Sequence, residues 1–416
     1  MSNYNTLGHN LKRGIFSFCT KLGKGLKKPV QKFILDMIYG ILASKSSYLT
    51  EMARSLNEDI ALDKTVERLS RNLKNMENTE ELFENYINAV KPSFDKQTIL
   101  ILDDSDVSKP YSSKLEGLCR VHDGSTGETS IGYWFAGVSA LTANHKQPIP
   151  VYSRIYSTLE KDYLSNNAET IKSLEYLSNH FHTTNIRALD RGYDAGYIFD
   201  YFIPRNESFI VRMNGKRNII HKGNTTLISK LAWQINGTHT LKFEAKNGKK
   251  VNCNISITPV SLPKHPSKPL NLVICKGFGK EPLILLTSLS SDDPQLCVTV
   301  TKVYLMRWRI EEYYRFKKQD FGFEKFLVRS LDSIRNLDLL LSMAIGYIGI
   351  LSEKIEDCIQ VIHVINASKR LYGLATFTFY AISDGLKAVF SKSYVGIKSF
   401  FANVVPHPQM TPPDCS

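Results

Sequence analysis

The chain has 416 residues, of which 43% are hydrophobic and 22% charged, so it can bury a sizeable core and is neither disordered nor collagenous. At roughly 100–200 residues per domain it accommodates two to four domains. Its 53 Lys and Arg against 40 Asp and Glu leave a net charge of +13, which points to a polyanionic partner.

Seven cysteines (Cys19, Cys119, Cys253, Cys275, Cys297, Cys358 and Cys415) are widely spaced and odd in number. That argues against a CxxC zinc site or a disulfide framework and for a reducing, cytoplasmic setting. The longest apolar run, residues 339–351, is shorter than the roughly 20 residues that span a bilayer, and the basic N-terminus lacks an apolar signal core. No membrane segment is expected. Lys12, Arg13, Lys21, Lys24, Lys27, Lys28 and Lys32 precede the first acidic residue, Asp36. They suit a DNA-backbone contact or a solvated face better than an anionic membrane surface.

Residues 34–90 have helical periodicity. Segments 48–56 and 61–73, separated by Asn57-Glu58-Asp59, resemble a helix-turn-helix, a pattern that any small helical bundle also produces. From residue 98 the period shortens: 98–102 is a buried-type strand ending in Asp103-Asp104, and strands at 131–141 and 149–156 follow a turn at 123–127. A helix at 165–180 leads to a strand at 185–189, which ends in Asp190. Residues 205–285 are strand-rich, with hairpin turn chemistry at Asn214-Gly215, Asn236-Gly237, Asn247-Gly248 and Gly277-Phe278-Gly279, and form an inserted β-subdomain. A core strand at 283–287 precedes a helix from about 294 to 318. Further helices reach about 390, and the tail 405–416 is expected to be loose.

Two short apolar strands that end in carboxylates place Asp104 (or Asp103) and Asp190 at the carboxyl edge of a sheet, where ligands gather, although either residue alone also suits a turn cap. On an ideal helix Tyr304, Arg307, Glu311 and Lys318 project within a sector of about 60°, with Trp308, Ile310 and Tyr314 packing the other side. Three carboxylates in a basic protein suit two hard divalent cations, Mg²⁺ or Mn²⁺, acting on a phosphodiester. Arg307 and Lys318 then neutralise phosphates, and Tyr304 contacts a phosphate or a base, or else packs in the core. Gly23-Lys24-Gly25 does not complete a phosphate loop, HExxH and GxSxG are absent, and His180-x-His182 reads as a helix end.

Tyr304-x2-Arg307-x3-Glu311-x6-Lys318, within YLMRWRIEEYYRFKK, resembles the Y-R-E-K signature of DDE-type cut-and-paste insertion-sequence transposases. Leu102-Asp103-Asp104-Ser105 and residues 189–194 are similar to the segments that carry the family's two catalytic aspartates, and the resemblance covers roughly residues 98–320. It implies an α/β fold: a ribonuclease-H-like catalytic core with an inserted β-subdomain, flanked by helical N- and C-terminal regions. The domains expected are 1–92 (DNA-binding), 93–335 (catalytic, with the insertion at about 205–285) and 336–416 (helical, for dimerisation or cover of the core). The resemblance assigns Asp104, Asp190 and Glu311 as catalytic and metal-holding residues for two Mg²⁺ (or Mn²⁺) ions, and Tyr304, Arg307 and Lys318 as DNA-binding residues. The implied partners are double-stranded DNA, as terminal inverted repeats and target, and a second copy of the chain on paired ends; no small-molecule substrate is expected. The implied activity is metal-dependent strand cleavage and strand transfer through a hairpin, in a cytoplasmic, nucleoid-associated protein. A silent DNA-binding repressor and a nuclease without strand transfer are the alternatives. One departure is Leu283, where a relative carries a tryptophan that receives a flipped base; Trp233, inside the insertion, is read as a buried strand residue in preference to a substitute for it.

Overall fold

The computed structural model describes residues 4–122, 127–244, 250–369, 376–393 and 397. Most of the turn expected at 123–127, the Asn247-Gly248 turn, Cys415 and the tail 405–416 lie outside them. The elements in chain order begin with α1 (Tyr4–Leu22), α2 (Lys28–Ser44), α3 (Leu49–Leu56), α4 (Leu62–Lys74) and α5 (Thr79–Val90). Strands β1 (Ile99–Ser108), β2 (Cys119–His122), β3 (Thr129–Leu141) and β4 (Pro148–Tyr156) precede α6 (Asn166–His180), β5 (Ile186–Leu189), α7 (Gly196–Phe202) and β6 (Phe209–Arg212). Then come β7 (Asn218–His221), β8 (Asn224–Leu227), α8 (Ile228–Gln234), β9 (His239–Glu244), β10 (Lys250–Leu262), β11 (His265–Lys276) and β12 (Leu283–Thr287). The chain closes with α9 (Leu296–Leu305), α10 (Trp308–Arg315), a π-helical turn (Phe316–Asp320), α11 (Leu331–Ser352), α12 (Ile359–Ala367) and α13 (Phe379–Phe390).

Two compact units result. One comprises Met1–Asp95, Asp104–Leu164 and Glu311–Ser416, the other Lys96–Asp103 and Ser165–Ile310. The units do not follow the boundaries expected at 92/93 and 335/336, because the N- and C-terminal helices share one core.

That first unit is organised around α11, which packs on β4, α2, α4, α5 and α13. By length and composition α11 could cross a membrane, contrary to the sequence expectation, but 83% of its apolar window is buried. Residues 339–351 therefore cover a core. Close approach is secured by Gly346, where a Cβ would lie 2.1 Å from the Tyr86 hydroxyl; that hydroxyl donates to the Pro150 carbonyl at 2.7 Å. Helices α3 and α4 match the sequence reading. Asn57, in the left-handed region, ends α3, and Arg68 of α4 is tied to Asp36 and Glu58, both at 2.8 Å. Strand β1 does not stop at Asp103-Asp104 but runs to Ser108. Gly132 on β3 leaves room for the Val107 carbonyl, and the Ser108 and Ser130 hydroxyls meet at 2.6 Å.

In the second unit the first half of β1 pairs in parallel with β5, and β5 in parallel with β6. Antiparallel β12, β11 and β10 continue the sheet, and β7, β8 and β9 complete the strand-rich insertion. Alternation sends Ile210 to one face, under α9, and Phe209 to the other, where it packs on Phe199 and Phe202 of α7. The sheet is thus covered on both sides, as parallel strands require. The insertion is not all strand: α8 occupies 228–234, so Asn236-Gly237 links a helix to β9 rather than closing a hairpin.

Lys317 and Asp338, each with a side chain 2% exposed, form a buried ion pair in the first unit. Asp338→Ala strands a buried ammonium and is expected to cost about 3–5 kcal/mol in urea denaturation, whereas a Lys317→Met/Asp338→Leu double variant recovers most of that loss.

Candidate active site

In the second unit the last parallel pair between β1 and β5 is Leu102 with Leu189, and Leu189 pairs with Val211 on β6. Asp103, Asp190 and Arg212 are therefore next in line on three adjacent strands, at their common carboxyl edge. Paired residues share a face and successive ones alternate, so these three lie on the face of Ile101, Ala188 and Ile210. Asp190 keeps an extended backbone (φ −78°, ψ 176°), which carries the alternation one residue past β5. By the same alternation Asp104, exposed, points to the opposite face with Leu102. This differs from the sequence assignment of Asp104, because side-chain parity becomes visible only once the register is known.

Helix α9 covers the Asp190 face. Cys297, Val300 and Tyr304 pack into a core with Ile210, Val273, Cys275, Leu283 and Leu285. At its end the Tyr304 hydroxyl donates to Asp190 Oδ1 at 3.2 Å, and Arg212 Nη1 lies 4.0 Å from the same oxygen. Tyr304 is only 5% exposed. Burial pushes its hydroxyl up, the Asp190 charge adds to this, and Arg307 and Arg212 oppose it, so the group stays protonated and donates. Asp190 and Arg212 are 36% and 41% exposed. Both contacts to Asp190 fall on Oδ1, leaving Oδ2 without a partner among the described residues. The structure thus brings Asp190, Tyr304 and Arg307 together and adds Arg212, which the sequence reading missed; its one signal was a cation at the end of a short apolar strand.

Glu311 and Lys318 belong to the first unit. Glu311 is half-buried in the first turn of α10. Lys318 donates to the Asp106 carbonyl on β1 at 2.6 Å and pairs with Glu324 at 3.0 Å. The continuous helix expected over 294–318 is interrupted. Arg307 N–H donates to Tyr304 at 2.9 Å and Ile310 N–H to Arg307 at 3.2 Å, both to the residue three back, and the π turn follows α10. The four signature residues do not share one ideal helix face. Lys317, on the face of buried Ile310 and Tyr313, reaches the core, 4.5 Å from the Phe135 ring centroid and 3.1 Å from Ser342 Oγ, and Lys318 reaches β1.

Leu283 is buried in the α9 core, and Trp233, on helix α8, is 56% exposed rather than a buried strand residue. His180 ends α6 and stacks on Tyr176, with ring centroids 4.0 Å apart. The six described cysteines are buried, and none of them is in a disulfide. Among the described residues no three His, Cys, Asp or Glu side chains are gathered as a metal-holding group.

No protein-family model and no curated protein matches the chain. Among solved structures it is similar to piggyBac transposase in a synaptic complex with hairpin DNA, with a TM-score of 0.47 and 9% identity, over 99% of this chain and 87% of that one.

Lys318→Met is expected to destabilise the protein by about 1–3 kcal/mol in urea denaturation, because it removes a charged donor from the Asp106 carbonyl. A change below about 0.5 kcal/mol, ordinary for a solvated surface lysine, would show that the contact contributes nothing.

Proposed function

We propose that the chain is a DNA transposase with a ribonuclease-H-like core, cutting at the ends of its element and joining them to target DNA. The observation that carries this is the hydrogen bond from Tyr304 to Asp190. It joins the tyrosine of the Y-R-E-K signature to the second aspartate segment, two features 114 positions apart that the sequence singled out separately. Strand β5, flanked by the parallel neighbours β1 and β6, with Asp103 and Asp190 next after the last paired residues of β1 and β5, supports the fold reading.

The carboxylates in this proposal are Asp190, Glu311 and, by register, Asp103 in place of Asp104. Carboxylate oxygens are the donors that Mg²⁺ and Mn²⁺ take, and the open Oδ2 of Asp190 fits such an ion. Two bound ions would supply an activated water and charge stabilisation on the departing oxygen. Tyr304 holds Asp190 in place through Oδ1. Arg212 and Arg307 offset the negative charge of the bound phosphate, and their fork geometry favours two-point contact with its oxygens. In hydrolysis the oxygen of water forms a new P–O bond as the bond to the 3′-oxygen breaks, leaving a 5′-phosphate and a free 3′-hydroxyl. In strand transfer that hydroxyl attacks a target phosphodiester, so one P–O bond forms as another breaks and no covalent protein intermediate is needed. A second copy of the chain holds the other element end.

The test places the flanking DNA of the element around a plasmid marker and follows excision with Mg²⁺ and with chelator. Asp103→Asn, Asp190→Asn and Glu311→Gln are each expected to lower cleavage by more than about a hundredfold while DNA binding persists. Asp104→Asn is expected to leave cleavage largely intact; loss with Asp104→Asn and retention with Asp103→Asn would return the role to Asp104. Repeat binding without cleavage by the unmodified chain would make it a silent repressor, and cleavage without joined products a simple nuclease.

A further inference from the structure

A cavity of about 420 Å³ lies in the second unit between α7, the turn that follows β6 and the turn between β10 and β11. Its cations are Lys216, Arg217 and Lys264, with the His265 ring beside them, and its carboxylates are Asp194 and Asp200. Both carboxylates are already engaged. Asp194, with a side chain 1% exposed, accepts from the Asn214 N–H at 2.9 Å and from Arg217 Nε at 2.6 Å. Asp200 accepts from Lys264 at 2.5 Å and lies 2.9 Å from His265 Nε2.

The cations, by contrast, are only partly used. Arg217 commits its Nε edge to Asp194 and sits 4.8 Å from the Phe199 ring centroid, so its plane is held, while Nη1 and Nη2 have no hydrogen-bond partner among the described residues. Lys216 Nζ likewise has none, and both Lys216 and Lys264 are exposed. A fixed guanidinium with its two-point edge open loses little freedom when it meets two anionic oxygens. The volume falls within the range of small-molecule sites, and Leu262 and Pro263 supply an apolar wall. Asp190 and Asp194 are four residues apart, and Arg212 and Asn214 two, so the cavity adjoins the Asp190 edge with cations of its own.

We propose that this cavity binds the phosphate of a nucleotide, with Arg217 taking two of its oxygens through Nη1 and Nη2, Lys216 and Lys264 pairing with its remaining charge, and the nucleoside lying against Pro263. A phosphate presents three strong acceptor oxygens to these three cations, which a carboxylate with two oxygens does not. A free nucleotide and one unit of a nucleic-acid strand carry the same group. Such a site goes beyond strand cleavage at Asp190 and would serve a chain that cleaves nothing.

The full-length protein is titrated in a calorimeter with deoxyadenosine 5′-monophosphate, inorganic phosphate, deoxyadenosine and a short single-stranded oligonucleotide. The monophosphate is expected to bind saturably and inorganic phosphate to compete with it, whereas deoxyadenosine, which lacks the phosphate, does not bind. Arg217→Lys keeps a cation beside Asp194 but loses the fork, and is expected to weaken monophosphate binding about tenfold or more. Lys216→Ala removes a side chain with no partner in the fold and is expected to weaken it about two- to fivefold. Asp190→Asn leaves it unchanged. Arg217-dependent binding of the oligonucleotide alone assigns the phosphate to a strand, and monophosphate binding that the oligonucleotide does not displace assigns it to a free nucleotide. The proposal is overturned if no phosphate-bearing probe binds, if deoxyadenosine binds equally well, or if affinity is unchanged in both Arg217→Lys and Lys216→Ala. Loss of binding in Asp190→Asn also overturns it, because the ligand then sits at the cleavage site. A chain that cuts no DNA yet binds the monophosphate in an Arg217-dependent way overturns the cleavage reading and leaves this site supported.

Discussion

The parallel pairing of β1 with β5 and of β5 with β6 is the constraint on which the candidate site depends. Each strand contributes only a few buried apolar residues, so none is stable without its neighbours and cover on both faces. The two edges of this small sheet treat charge in opposite ways. At the amino edge Arg187 is fully buried; it donates to the carbonyls of His182 (2.8 Å), Thr183 (3.2 Å) and Asn185 (2.7 Å), and its Nε lies 3.3 Å from Glu207. Burial pulls that guanidinium down, with Glu207 opposing. At the carboxyl edge Asp190 and Arg212 stay partly exposed and 4.0 Å apart. One edge is held together by its ion pair, while the other keeps charge available to a ligand.

Tyr304 converts this edge into an ordered site. Its ring is packed with Leu283, Leu285 and Val300, which fixes the hydroxyl, and the hydroxyl in turn fixes Asp190. Packing and polarity act on the same side chain. Because burial and the neighbouring carboxylate both favour the protonated phenol, the donor role holds across the neutral range.

Much of the fold was legible in the sequence. Apolar runs of four or five residues flanked by turn residues marked β1, β5 and β12, and three-and-four spacing marked α3 and α4, because in each case burial of one stripe or strand sets the pattern. What local patterns leave undetermined shares a cause. Seven-residue α8 is too short to show a helical period inside a strand-rich segment. Asp103 and Asp104 are chemically identical, and only pairing with β5 decides which faces α9. The two-unit arrangement depends on contacts of α11 with helices that are distant in sequence, which no local pattern records.

The Y-R-E-K spacing shows the same limit most clearly. Treated as one regular helix, it puts four side chains on a common face, with Lys318 beside Arg307 as a phosphate contact. The backbone instead passes through a tightened turn at Tyr304–Arg307, the α-helical α10, and a π turn. Each change of winding rotates the residues that follow. Lys317 is committed to Asp338, Ser342 and the Phe135 ring, and Lys318 to the main chain of β1 at Asp106. Asp106 lies three residues beyond Asp103 on the same strand, so the contact of Lys318 supports the latter part of β1. Lys318 is therefore an anchor for β1, and the spacing of Tyr304, Arg307, Glu311 and Lys318 spans several backbone windings rather than a single helical face.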